Sequence, residues 1–156
     1  MSKAEKTALK FRIAGIRTDE FAILEENYNE KDPIKLTSEI NFGLLETEHV
    51  LGISLSIRFE QDSKPFIKLA VSLRFEMEEK SWALMVNKEK QEIIIPLDFA
   101  SHMGVIAVGT MRGILYEKLT GSRFAHFILP PIDLTRLIRG DATLPLVSLQ
   151  NSETRD

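Results

Sequence analysis

Cysteine is absent from the chain, so it can form neither a disulfide framework nor a thiolate metal site, a composition that suits a reducing compartment. Histidine is scarce, and His49, His102 and His126 never fall at i, i+3 or i, i+4, so no helical metal pair and no HExxH-type site can be drawn. No G-x-S-x-G occurs, and no glycine-rich loop follows a strand to cradle phosphate. Charge of one sign is also missing: 20 basic residues stand against 23 acidic ones, a net −3, which argues against a dedicated nucleic-acid surface. The N-terminus carries lysines but no apolar run of signal-peptide length. The most apolar window, residues 103–108, is far too short to span a bilayer. These absences together point to a soluble, cytoplasmic protein with no membrane insertion, no cofactor and no metal.

What is present is alternation. Leu9, Phe11 and Ile13 alternate with Lys10, Arg12 and Ala14, interrupted at Gly15 and at Thr18-Asp19, and residues 21–24 resume the pattern. Ile34, Leu36, Ile40, Phe42 and Leu44 share one side of a second run. Leu51, Ile53, Leu55, Ile57 and Phe59 do so in a third, and Ile67, Leu69, Val71, Leu73, Phe75 and Met77 in a fourth. Period-2 runs with short connections predict an antiparallel sheet, apolar on one face and solvated on the other. Such a sheet needs one covering layer. Short apolar pieces at 82–86 and 92–95 then read as a crossover to that layer.

The layer is a helix from Pro96 to about Leu119. Pro96 suits the first helical position, and Asp98 is the only formally charged residue between Glu92 and Arg112. A helix so apolar needs protein on more than one side. Gly104, Gly109 and Gly113 each cost about 1 kcal/mol against alanine in a helix interior, a cost offset by close approach to a neighbour. Gly121 is placed to cap the helix. Residues 124–129 then read as extended, and Pro130-Pro131 precede a short helix, 134–138, capped by Asp133 and stopped by Gly140 and Pro145. The fold class is α+β: a four-stranded antiparallel sheet covered on one face by a long helix and a short C-terminal helix. Residues 1–8 read as a flexible N-terminus, 9–140 as the domain and 141–156 as a loose tail.

Catalysis finds no support in this pattern. Glu25-Glu26 and Glu78-Glu79 are paired carboxylates in polar turns, and charged turns are ordinarily just solvated. An enzyme is disfavoured, which leaves a binding or interaction protein.

The element order resembles that of the SecB family of protein-export chaperones. Phe11-Arg12-Ile13-Ala14-Gly15-Ile16 is similar to the family's opening F-x-I-x-x-I strand, and Asp32-Pro33-Ile34-Lys35-Leu36 to its P-x-V-x-L second strand. Residues 112–138 align without a gap on the family's R-E … F-P-x-L-x-L-x-P-V-N-F segment. Arg112, Phe124, Leu129 and Pro131 then match, with Ile132-Asp133-Leu134 in place of V-N-F and Leu137-Ile138 closing the motif. The chain departs from the family where Ala107-Val108-Gly109-Thr110-Met111-Arg112-Gly113 replaces F-P-Y-A-R-E, and where Gly140 and Pro145 shorten the last helix. The tail, Asn151 to Asp156, has no counterpart to the family's segment that meets the SecA motor.

The resemblance implies an ATP-independent chaperone that binds unfolded or extended polypeptides, with a role in protein export. It places client-binding residues at Trp82, Leu84, Val86, Phe124, Phe127 and Ile128. It also implies a homo-oligomer, dimer or tetramer, with Ala100, Met103, Gly104, Ala107 and Met111 of the long helix at the interface. The family presents acidic residues on the outer sheet face to SecA. Here Lys10, Arg12, Lys35, Arg58, Lys68 and Arg74 outnumber Glu39, Glu60 and Glu76, with Glu20 at one acidic contact position. That sign disfavours SecA as a partner. The alternative is an adaptor of the same fold dedicated to one specific protein, such as an antitoxin.

Overall fold

The structure, a computed structural model, describes residues 8–146. Strands β1 (Phe11–Ile23), β2 (Lys35–Leu45), β3 (Val50–Gln61) and β4 (Lys64–Met77) form an antiparallel sheet in the order β1-β4-β3-β2. The alternating runs decide which face is buried. Leu51, Ile53, Leu55 and Ile57 of β3 and Leu69, Val71, Leu73 and Phe75 of β4 are all almost fully buried, while Gly52, Ser54, Ser56, Ala70, Ser72 and Arg74 between them are more exposed. The breaks expected at Gly15 and Thr18-Asp19 do not end β1. They are bulges, between Ile13 and Gly15 and between Thr18 and Glu20, that β1 absorbs against an unbroken β4. Asp62 and Ser63, both with positive φ, join β3 to β4 in a two-residue turn that matches the sheet twist.

The long helix α2 (Leu97–Leu119) lies over the two central strands, β3 and β4, and ends where Gly121 adopts a left-handed conformation (φ 81°). Asp133 caps the four-residue helix α3 (Leu134–Leu137), its carboxylate accepting the Thr135 N–H at 3.1 Å. Bonds from the Thr135 hydroxyl and N–H hold the Asp133 pKa below its ordinary value. The expected α+β class and its four-stranded sheet under a long helix are therefore present.

Three expectations need correction. The crossover is not a pair of loose pieces. Residues Glu79–Met85 form helix α1, and β5 (Val86–Asn87) and β6 (Glu92–Ile95) form a hairpin. The expected loose tail from 141 onward begins as strand β7 (Ala142–Pro145), which pairs with β6 to complete a second, three-stranded sheet β5-β6-β7. Burial of Ile93 and Ile95 explains it: β6 is buried on one face, and Leu144 sits opposite Ile93 in register. Residues 1–7 and 147–156, the rest of the expected flexible termini, lie outside the described residues. Finally, residues 124–126 form turns, not an extended stretch, with the Phe127 N–H donating to the Phe124 carbonyl at 3.0 Å.

Candidate functional site

Helix α2 buries Ala100, Met103, Gly104, Ala107 and Met111 inside its own protomer. Those five residues, expected at a subunit interface, instead face this chain's core. A methyl group at Gly104 would lie 3.0 Å from Ile138 Cδ1 and 3.2 Å from Leu134 Cδ1, so this glycine serves the approach of α3. The open side of α2 carries Val105 and Tyr116, each 60% exposed, with Gly109 and Gly113 between them and no atom within 4 Å of either glycine's missing Cβ. Beside it, Ile13 and Ile16 of β1 are about half exposed, because α2 covers the central strands and leaves the inner face of β1 open.

The expected client residues scatter. Trp82 is buried and stacks on the His49 ring (centroids 5.1 Å apart, 20° between planes). Phe124 is fully buried among Tyr28, Phe66 and Phe127, and Arg123 lies over Tyr28 and Phe124. Neither can meet a client on the surface, since both supply the area that closes the ends of the core. Val86 and Phe127 are half-buried in β5 and in that aromatic cluster. Ile128 is exposed but stands away from the apolar groove at the start of α2; Leu84 alone of the six lines that groove.

That groove, about 770 Å³, opens at the start of α2. Ala8, Leu9 and Phe11 form one wall, Leu84 and Met85 of α1 a second, and Pro96, Leu97, Phe99 and His102 the third. Local chemistry holds the walls together. The Lys10 N–H donates to Ser81 Oγ (2.8 Å) and the Glu78 N–H to the Lys10 carbonyl (2.9 Å), tying residues 8–10 to the first turn of α1. Asp141, just before β7, accepts the Leu97 N–H at 2.8 Å, so the segment leading into β7 caps the start of α2 at the edge of the groove. Phe11 rests edge-on against Phe99 and His102. The lining is predominantly apolar, with Asp98, His102 and Asp141 at its margin. Leu84 is 62% exposed and Leu97 37%, an arrangement that leaves apolar area uncovered by the described residues. Leu9, Leu97 and Met85 escaped the sequence reading because their convergence depends on α1 and β7, two elements that no periodicity announced.

The outer sheet face is close to electrical balance. Arg12 pairs with Glu76 (2.6 Å), Lys68 with Glu20 (2.8 Å), Arg58 with Glu60 (3.7 Å) and Arg74 with Glu48 (3.5 Å), while Arg17 pairs with Asp19. The basic excess expected from strand alternation shrinks to seven against six once Arg17, Asp19, Glu20 and Glu48 are counted on the face. The Asp19 carboxylate on this face has a displaced pKa. Burial raises it, but hydrogen bonds from Ser72 and Arg17 and the Arg17 charge together outweigh burial, and the net shift is downward.

No family model matches the chain, and no curated protein matches it. Among solved structures it is similar to the SecB-like chaperone Rv1957 of Mycobacterium tuberculosis in complex with a ChAD peptide from the Rv1956 HigA1 antitoxin. The identity is 15% over 80% of this chain and 88% of that one, with a TM-score of 0.42. Among the described residues, no helix is long and apolar enough to cross a membrane.

Proposed function

We propose that this protein is a passive polypeptide-binding chaperone: it holds extended segments of unfolded clients in the groove between residues 8–11, α1 and α2. The observation that carries the reading is the groove itself, an open, largely apolar trough whose rim displays Leu84 and Leu97. A concavity of this size accommodates a few apolar side chains of an extended segment, and each buried leucine-sized group contributes about 1.5–3 kcal/mol. Binding of that kind needs no nucleotide. A dedicated adaptor for one partner is the second reading, favoured by the four-residue α3 and by an outer face without the acidic excess an export motor would meet.

A second copy belongs to the same proposal. Val105, Gly109, Gly113 and Tyr116 on α2, with Ile13 and Ile16 beside them, form an apolar strip that a two-fold partner can cover. Suppression of aggregation of a reduced, unfolded model protein tests the first reading. Light onset delayed at stoichiometric ratios supports holding, and no delay at any ratio contradicts it. A pull-down separates general from dedicated binding: many unfolded clients for the first, one co-purifying folded partner for the second.

A further inference from the structure

The residue just before β3 holds an uncommon backbone conformation. His49 ends the turn 46–49 half-buried and left-handed (φ 52°), a state that most L-residues avoid and that histidine enters more often than most. Two contacts come with it. Its carbonyl accepts the Met77 N–H at 2.8 Å, which fixes the turn to the end of β4. Its ring lies nearly parallel to that of Trp82 on α1, the centroids 5.1 Å apart. Backbone and hydroxyl bonds between Lys10 and residues Glu78 and Ser81 settle where α1 begins. They do not settle how this seven-residue helix is turned about its axis. In a helix Leu84 stands about 200° round from Trp82, and Met85 about 60° short of a full turn. An indole held inward therefore sends Leu84 to the groove rim and keeps Met85 in the groove wall.

We propose, on the groove-binding reading, that His49 is a positioning residue for the groove: its ring, stacked on Trp82, fixes the rotation of α1 and with it the places of Leu84 and Met85. A wall set in place beforehand spares the client the cost of ordering it. The stack can be read without any client, because Trp82 is the only tryptophan in the chain. Among the described residues no hydrogen bond engages the His49 ring, and neither of its nitrogens is sealed from water, so the ring can exchange a proton with solvent. Charges on the adjoining strands are matched, Glu48 with Arg74 at 3.5 Å and Glu76 with Arg12 at 2.6 Å. The turn also carries Glu46, and the start of α1 Glu78, Glu79 and Lys80, with Lys10 bonded to it. An imidazolium here is a cation over the indole face, and it quenches indole emission.

Two measurements on the full-length chain test this. Without client, Trp82 emission is expected to fall by about a third or more between about pH 8 and pH 5, where histidines take up a proton. The fall should persist in His102→Gln and vanish in His49→Asn and His49→Tyr. The second measurement is the affinity for labelled, reduced carboxymethylated α-lactalbumin at neutral pH. His49→Asn tolerates the left-handed turn but lacks the ring, and is expected to bind about three- to tenfold more weakly. His49→Gly is a second variant of that kind, equally suited to the turn. His49→Tyr restores a stacking ring and is expected to bind as wild type does. Emission that still titrates in His49→Asn would remove the stack, and a folded ring-less variant with wild-type affinity would remove its role in the groove. Binding by His49→Tyr as weak as that of His49→Asn would assign the loss to the turn. Each of these overturns the proposal and leaves client binding standing, whereas a wild type that binds no client overturns the groove reading and the positioning role together.

Discussion

Arg112 shows how much one side chain can organise. Its Nε donates to the Leu129 carbonyl at 2.8 Å and its Nη2 to the Pro130 carbonyl at 3.1 Å, so a single guanidinium ties the segment leading to α3 to the helix beneath it. Only a planar fork reaches both acceptors. Arg112→Met is expected to cost about 2 kcal/mol in urea unfolding, and Arg112→Lys to recover less than half of that. The glycines of α2 divide sharply. Gly104→Leu pushes into Ile138 and Leu134 and is expected to lose about 1–3 kcal/mol. Gly113→Ala meets nothing in the protomer and should gain about 0.5–1 kcal/mol in any state where that face is open. Asp19 adds a pH dependence. Its folded pKa is depressed, so its contribution is fully present above the unfolded carboxylate value and is lost as pH falls through the lower folded one. Asp19→Asn is therefore expected to cost roughly 0.5–1 kcal/mol at neutral pH, with the gap to wild type closing on acidification below the ordinary aspartate range. A gap that persists in acid would mean that the carboxylate charge is not the cause.

At the scale of elements, α2 is where sequence and structure part most instructively. Its existence was legible, and its ends to within a residue: Pro96, expected as the first helical residue, is the extended N-cap before Leu97, Gly121 follows the last turn, and apolar residues run throughout. Its orientation was not, because a helix apolar on nearly every side gives periodicity no polar face to mark as outward. The inward face turned out to be Ala100, Met103, Gly104, Ala107 and Met111, and the open one Val105, Gly109, Gly113 and Tyr116. The four strands were readable for the opposite reason, since alternation names the buried face directly. Helix α1 and the hairpin after it were missed because each is too short for a period to emerge, and β7 because four residues ending at Pro145 look like a loop. The groove inherits that blindness: its walls are residues that only α1 and the β7 segment bring together. The open face of α2 carries its own test. Gly109→Leu is expected to leave thermal unfolding of the protomer within about 1 kcal/mol of wild type but to reduce the mass measured by light scattering. A wild-type mass of 17.7 kDa at micromolar concentration would remove the proposed interface altogether.

At the scale of the molecule, the four-stranded sheet has an inner face that the described residues cover only in part. α2 covers its centre, and the margin near β1 and the start of α2 keeps apolar surface open. That division suits a holding protein, since the closed part supplies stability while the open part stays free to trade contacts. The proposal is tested most directly by the affinity of fluorescently labelled, reduced carboxymethylated α-lactalbumin for wild type and for Leu84→Asp/Leu97→Asp. Both leucines sit at the rim, outside the buried core, so the variant should retain its near-ultraviolet circular dichroism. Wild type is expected to bind, and the folded double variant to bind at least tenfold more weakly, since about 1.4 kcal/mol of apolar contact is lost. Equal affinity for the two proteins, or no binding by wild type, would contradict the groove as the site where clients are held.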